Sequence, residues 1–271
     1  MIKKTMQLSG RTLTLETGRM AKQASGSCIV QYGDTSLLVA VTSSKGVEEY
    51  RGFFPLSVEY REKYYASGKI PGGFFKREAR PTEKEILSSR LTDRPLRPLF
   101  AEGFNNETRI DINVISFDEE NEPDVLAALG ASFALSLSDI PFNGPIASVR
   151  VGKVGGNLVM NPTIEQMESS EFDLVLSGNS ESIVMVEGKC DFVSEDDILT
   201  AIQYGHEGIK ELIAFQNKCL SELNISKRDV KAKPVNAELI KAIDNLCADK
   251  ISDLNKPKNK SDRYADVDNF I

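Results

Sequence analysis

The chain has no tryptophan, a single histidine (His206) and only four cysteines in 271 residues. Each scarcity excludes something. One imidazole cannot make a two-histidine metal site within one chain. Cys28, Cys190, Cys219 and Cys247 stand far apart with no CxxC pair, so neither a structural zinc site nor a disulfide framework is expected. No apolar run approaches the ~20 residues that a membrane-spanning helix needs. The opening MIKKTMQLSG lacks the apolar stretch of a secretory leader. A cytoplasmic protein without membrane contact is therefore the expectation. Positive charge is also in deficit: 33 Lys and Arg against 40 Asp and Glu leave a formal net charge of -7 and a pI of about 5.1. That balance excludes a generally basic nucleic-acid binder and requires any such contact to be a local patch. Phosphate-loop, zinc-protease, nucleophile-elbow and dinucleotide motifs are missing in any credible context. An apolar fraction of 41% is enough for a real core, and the length suits one large domain or two small ones.

Against this acidic background, Arg61–Phe100 is locally basic. It carries ten bases and five acids, a surplus of +5, with Tyr64, Tyr65, Phe74 and Phe75 set among them. Positive charge attracts phosphate, and rings on a loop can stack on unpaired bases, at about 1–3 kcal/mol per base. The alternative is a solvated charged surface with some rings turned into the core. Ile70-Pro71-Gly72-Gly73 is loop chemistry, and it leads into Phe74, Phe75, Lys76 and Arg77. Thr82 and Glu85 have the spacing of a capping box, so a helix should start there, with Ile86, Leu87 and Leu91 as its buried stripe. Arg94 precedes Pro95, which biases it away from helical geometry. The helix is expected to end near Asp93 and to leave Arg97 in an extended DRPLRPLF segment. Arginines between rigid prolines suit anion contacts; salt bridges to Asp93 and Glu102 are the competing use.

The rest reads as an α/β protein. Alternating or β-branched runs predict strands around Leu13–Leu15, Cys28–Tyr32, Ser36–Ser44, Phe54–Tyr60 and Thr108–Phe117. Gly33 is expected to supply a turn conformation that a Cβ would oppose. Pro123–Leu137 predicts a helix with small residues on much of its surface. Two hairpins should follow, Ile146–Val154 with Asn157–Met160 and Phe172–Ser177 with Ser182–Glu187. Ser194 should cap a long helix that carries His206, a residue without a Ser, Cys or Asp motif beside it and so read as structural. A linker near Val230–Pro234 precedes a helix starting near Asn236, with Leu239, Ile240, Ile243 and Leu246 as its buried face. The polar tail predicts a fragment of a longer polypeptide. Glu83, Glu85, Asp93, Asp173 and Glu187 form no tight carboxylate cluster along the chain, so catalysis cannot be read from these residues.

Several long segments resemble the first core domain of the polynucleotide phosphorylase family. They are GFFPLSVEYREKYYASGKIPGGFFKREARPTEKEILSSRLTDRPLRPLF, GRMAKQASGSCIVQYGDTSLLVAVT, DVLAALGASFALSLSDIPFNGPIASVRVG and MVEGKCDFVSEDDILTAIQYGHEGIK. The resemblance implies an RNase PH-like fold of two β/α halves with a mixed sheet and packed helices. Residues 1–229 would be the core domain, with halves of about 1–143 and 144–229, and 230–271 the start of an all-α linker domain. It also implies a homotrimeric ring, single-stranded RNA as substrate, possible partners in an RNA-degradation complex, and inorganic phosphate as co-substrate. The reaction would be phosphorolysis of the 3′-terminal linkage to a nucleoside diphosphate, reversible as polymerisation, with Mg2+ or Mn2+.

In that family, phosphate and metal are held by a second core domain, through an aspartate-rich segment that leads into Val-Ala-Gly. Phe172–Gly188 is the equivalent place here, and it has no aspartate cluster. No catalytic or metal-binding residue is therefore expected in this chain. The family's FFRR-type loop falls on Phe74, Phe75, Lys76 and Arg77, with lysine in the third position; this keeps the charge and loses the planar fork. Arg94 and Arg97 match family arginines near the RNA path, and Arg80 and Arg90 are carried over more weakly. Two other readings stand beside this one. One is a non-catalytic, exosome-like RNA-binding ring subunit. The other is a self-sufficient exonuclease, which would need a phosphate pocket and metal carboxylates within this chain.

Overall fold

The computed structural model describes residues 1–46, 49, 52–72, 78, 80–230 and 236–270. The chain divides into two compact units, Met1–Lys231 and Ala232–Ile271. The first unit opens with antiparallel strands β1 (Ile2–Leu8), β2 (Arg11–Thr17), β3 (Gly26–Tyr32) and β4 (Thr35–Ser43). Tyr32 pairs with Thr35 across a two-residue turn. In that turn Gly33 has φ +59°, and a Cβ on it would lie 2.7 Å from Asn121 Nδ2. Backbone conformation and space both call for glycine, as the sequence predicts.

Next come β5 (Leu56–Glu62), helix α1 (Glu83–Leu96) and β6 (Thr108–Ser116). β5 begins two residues later than the sequence pattern places it. β5 and β6 run parallel, which requires a crossover; α1 supplies it and packs on β5. The resulting mixed sheet has the order β1-β2-β3-β4-β6-β5.

Helix α2 (Asp124–Leu137) follows. After it, β7 (Ala147–Val154), β8 (Asn157–Met160), the short α3 (Ile164–Glu168), β9 (Phe172–Gly178) and β10 (Ile183–Cys190) lead to the long helix α4 (Glu195–Leu220). The second sheet is antiparallel, with the order β10-β9-β7-β8, so β10 is an edge. α2 packs on β3 and β4 and also on β7. It therefore lies between the two sheets, and every residue from Asp124 to Ser136 is buried. This explains why the segment is apolar or small all round rather than amphipathic. At Gly130 an added Cβ would come within 2.7 Å of Val39 Cγ2 and 2.9 Å of Val30 Cγ2, so helix and sheet approach as closely as a glycine allows. α4 covers β7 and β9 through Ala201, Gly205, Ile209 and Leu212. His206 on α4 meets the Asn179 carbonyl through Nε2 at 3.1 Å, the structural use expected of it.

The second unit holds α5 (Ala237–Leu254), capped by the Asn236 side chain, and α6 (Lys260–Phe270). Leu239, Ile240, Ile243 and Leu246 are expected to be buried, yet all four are exposed, Leu246 at 73%. The stripe is real in sequence, but α6 is mostly polar and gives it no cover. No described helix is long and apolar enough to cross a membrane.

Candidate nucleic-acid interface

The basic segment is organised by α1. Thr82 Oγ1 accepts from the Glu85 amide at 3.2 Å, and the Glu85 carboxylate accepts from the Thr82 amide at 2.6 Å. This is the capping box predicted from sequence. Glu85 also accepts from the Glu62 amide at 2.8 Å, which ties the start of the helix to the end of β5.

The face that α1 buries differs from the expected one. Ile86 and Leu87 are 49% and 53% exposed, and Leu91 is only partly buried. Buried instead are Glu85, Ser88, Thr92, Pro95 and Leu96. Hydrogen bonds make most of this polar inner face tolerable, although the buried Thr92 hydroxyl has no partner among the described residues. Besides the Glu85 bonds, Ser89 Oγ accepts from the Tyr60 amide at 3.1 Å and donates to the Glu85 carbonyl at 2.9 Å. Apolar periodicity could not reveal a helix seated through its polar groups.

The end of α1 also differs. The helix does not stop near Asp93; it runs through Pro95 to Leu96, and Arg97–Leu99 continue as a 3-10 turn. Pro95 removes one donor and crowds the Leu91 carbonyl, and the helix accommodates it with Pro95 and Leu96 buried. The Asp93–Arg97 pair spans it, with Nε to Oδ2 at 3.0 Å and Nη2 to Oδ1 at 2.7 Å. Arg97 is thus helical rather than extended.

The arginines of this helix end in three different states. Arg97 donates to Asp93 and also to the Phe54 and Leu56 carbonyls, at 2.9 and 3.1 Å, with its side chain 40% exposed. The carbonyls belong to a segment fixed by the ring cluster of Phe54, Phe100, Phe104 and Phe142, whose centroids lie 4.7 to 6.2 Å apart. Arg94, one turn back, pairs with Glu187 of β10 at 2.5 Å, and both side chains are more than half exposed. Arg90 is exposed and has no ion pair among the described residues, and the same holds for Arg80.

Phe74, Phe75, Lys76 and Arg77 lie outside the described residues. At the flank, Glu78 accepts from the Tyr64 amide at 2.7 Å and from Lys63 Nζ at 3.2 Å. The Tyr64 amide, with Lys63 and Arg61 assisting, holds the Glu78 carboxyl below the usual range. Tyr64 and Tyr65 are both exposed beside it.

Between α1 and β10 lies an open cleft of about 610 Å³, lined among others by Lys84, Leu87, Asp124, Arg150, Asp173 and Glu187. Most of its positive charge is already neutralised. Arg150 sits between Asp124 and Asp173, at 2.5 Å from each. Lys84 lies 3.1 Å from Glu62 and 3.0 Å from Glu122. Burial alone would lower the Lys84 pKa, but these two carboxylates carry it above the usual lysine value. The same balance holds for Arg150, which Asp124 and Asp173 raise against burial.

Paired in this way, Arg150 ties α2 to the second sheet and Lys84 ties α1 to β5 and Glu122, uses that suit bracing better than capture of free phosphate. Among the described residues no group of three or more His, Cys, Asp and Glu is placed to hold a metal ion, and the cleft's Asp124 and Asp173 are both taken up by Arg150, an arrangement that does not suit a resident Mg2+ or Mn2+. Sequence reasoning missed Arg150, and counted Lys84 only as one of the ten bases of the basic segment. A signal for Arg150 does exist: a charge flanked by Val149 and Val151 in a half-buried strand must find partners.

Known proteins place this arrangement in a family. Residues 9–141 match the model described as "3' exoribonuclease family, domain 1", and residues 144–208 match "3' exoribonuclease family, domain 2". The chain is 49% identical, over 97% of its length, to the polyribonucleotide nucleotidyltransferase of Heliobacterium modesticaldum. To the protein of the same name from Bacillus cytotoxicus it is 52% identical over 88% of its length. It spans little more than a third of those relatives, 37% and 34% respectively. Among solved structures, rice (Oryza sativa) Rrp46 has a TM-score of 0.61 at 18% identity, covering 79% of this chain and 96% of that one, a likeness of fold. With both domain models matched in order within the first unit, the chain belongs to the 3′ exoribonuclease family.

Proposed function

We propose that this chain is the N-terminal part of a phosphate-dependent 3′-to-5′ exoribonuclease, a polyribonucleotide nucleotidyltransferase acting on single-stranded RNA. Residues 1–229 form its first core domain, in halves of about 1–143 and 144–229, and 230–271 begin a helical linker. In this reading the chain guides RNA and builds a homotrimeric ring in the cytoplasm, where partners in an RNA-degradation complex can join it. The transfer of nucleotides to inorganic phosphate, and the Mg2+ or Mn2+ it uses, belong to a part of the protein outside this chain. The supporting observation is a contrast among the cations: the cleft's Arg150 and Lys84 are each braced by two carboxylates, while on α1 Arg90 faces solvent with no ion pair among the described residues and Arg94 has only an exposed pair with Glu187.

RNA phosphates would meet Arg80, Arg90, Arg94, Lys76 and Arg77, and bases would stack on Phe74 and Phe75. Arg97 would join them through its exposed edge while holding the end of α1 in place. Phosphate contacts release counterions, so log affinity should fall with log salt by about 0.7 per phosphate neutralised on a single strand. Titrating labelled oligoadenylate over a salt series tests this. Arg90→Gln and Arg94→Gln should each weaken binding and flatten the slope by up to about 0.7. An affinity indifferent to salt and to both substitutions would refute the guide role.

A further inference from the structure

We propose that Glu187 is an internal stand-in for RNA phosphate, a carboxylate that latches Arg94 until a nucleic-acid strand displaces it. This rests on the RNA-guiding reading above and adds a control element to it. The pair joins the two halves of the first unit, Arg94 from α1 and Glu187 from β10, at 2.5 Å on the rim of the cleft.

Three features make this pair exchangeable. Its side chains are 56% and 52% exposed, so water and a phosphate oxygen can reach both partners. Only a single arginine nitrogen, Nη1, donates to Glu187, so the pair is one-pronged and a phosphate that takes the planar fork in two prongs can replace it. Glu187 is also not needed to hold its strand: β10 pairs with β9 through the backbone, Glu187 opposite Val175, on an exposed sheet edge.

The neighbouring arginines cannot exchange in this way. Arg150 is 13% exposed between two carboxylates. Arg97 is fixed in part by two backbone carbonyls, which cannot swing away. Arg90, with no carboxylate on it among the described residues, is available at all times. A strand arriving at α1 would therefore meet Arg90 first and recruit Arg94 only by expelling Glu187. Weak or short anions would leave the latch closed, because an exposed ion pair competes modestly but measurably.

The test measures binding of a labelled single-stranded oligoadenylate at low salt by the whole chain and four variants. Glu187→Gln should bind about two- to fivefold more tightly than the unaltered chain, the range set by exposed ion pairs. Arg94→Gln should bind more weakly, and the double variant should match Arg94→Gln alone. Glu83→Gln removes another carboxylate of the cleft, one with no ion pair among the described residues, and should give no comparable gain. Unchanged affinity in Glu187→Gln, with Arg94→Gln still weakened, overturns the latch and leaves the guide role intact. A gain that persists in the double variant means general charge repulsion and also overturns the latch. Failure of the unaltered chain to bind the strand at any salt removes the guide role, and the latch with it.

Discussion

A single carboxylate, Asp118, gathers the turn between β3 and β4 to the loop after β6. Its oxygens accept from the Asp34, Thr35, Glu120 and Asn121 amides, the Thr35 hydroxyl and Asn121 Nδ2 at 2.6 to 3.2 Å. Burial by itself would raise its pKa, but the Asn121, Glu120 and Thr35 donors outweigh that and lower it to about 2. The donors hold the ionised form. Its stabilisation is therefore complete above the usual carboxylate pKa of about 4, and is lost as pH falls from there through about 2. Asp118→Asn should cost about 1–3 kcal/mol at neutral pH, and the gap from the unaltered chain should shrink in this acid window when unfolding is followed by denaturant titration. A gap that stays constant from pH 6 to pH 2 would contradict this assignment. Gly33, next to the Asp34 donor, was legible in the sequence as a turn. Asp118 was not, because nothing local to it shows that a hairpin more than eighty residues earlier supplies half its donors.

At the scale of elements, the two helices of the first half show where pattern reading succeeds and fails. The small, apolar sequence of α2 announces close packing, and its burial between two sheets accounts for it. Gly130→Ala would add a methyl 2.7 Å from Val39 and 2.9 Å from Val30. Both are β-branched side chains of the core, with little freedom to move. Overpacking of this kind costs about 1–3 kcal/mol, against about 1 kcal/mol returned by helix propensity. We expect a net loss of up to about 2 kcal/mol and a lower Tm; an unchanged or raised Tm would show that the sheet yields. For α1 the apolar stripe pointed to the wrong face. Its inner side is stitched by Glu85 and Ser89, and Ile86 and Leu87 are left to the surface. Its end was misplaced because burial of Pro95 and Leu96, together with the bonds of Arg97 to Asp93, Phe54 and Leu56, overrides the local bias of Arg94-Pro95.

At the scale of the whole molecule, the mixed strand-and-helix class was legible in the runs of strands and helices, and the family as long motifs. The cleft between α1 and β10 was not, because Arg150, Asp124, Asp173 and Glu187 come from four separate elements that only the fold brings together. Its charges are arranged for mutual neutralisation, and this is why the account assigns guidance of RNA to this chain and bond breaking to another part of the protein. The direct test is 3′-end shortening of single-stranded RNA, with and without inorganic phosphate and Mg2+. It compares this chain with the same chain joined to the remaining length found in its relatives. Phosphate-dependent release of nucleoside diphosphates by the longer protein alone is the predicted result. Release by this chain on its own would contradict the account and place a phosphate site within residues 1–271.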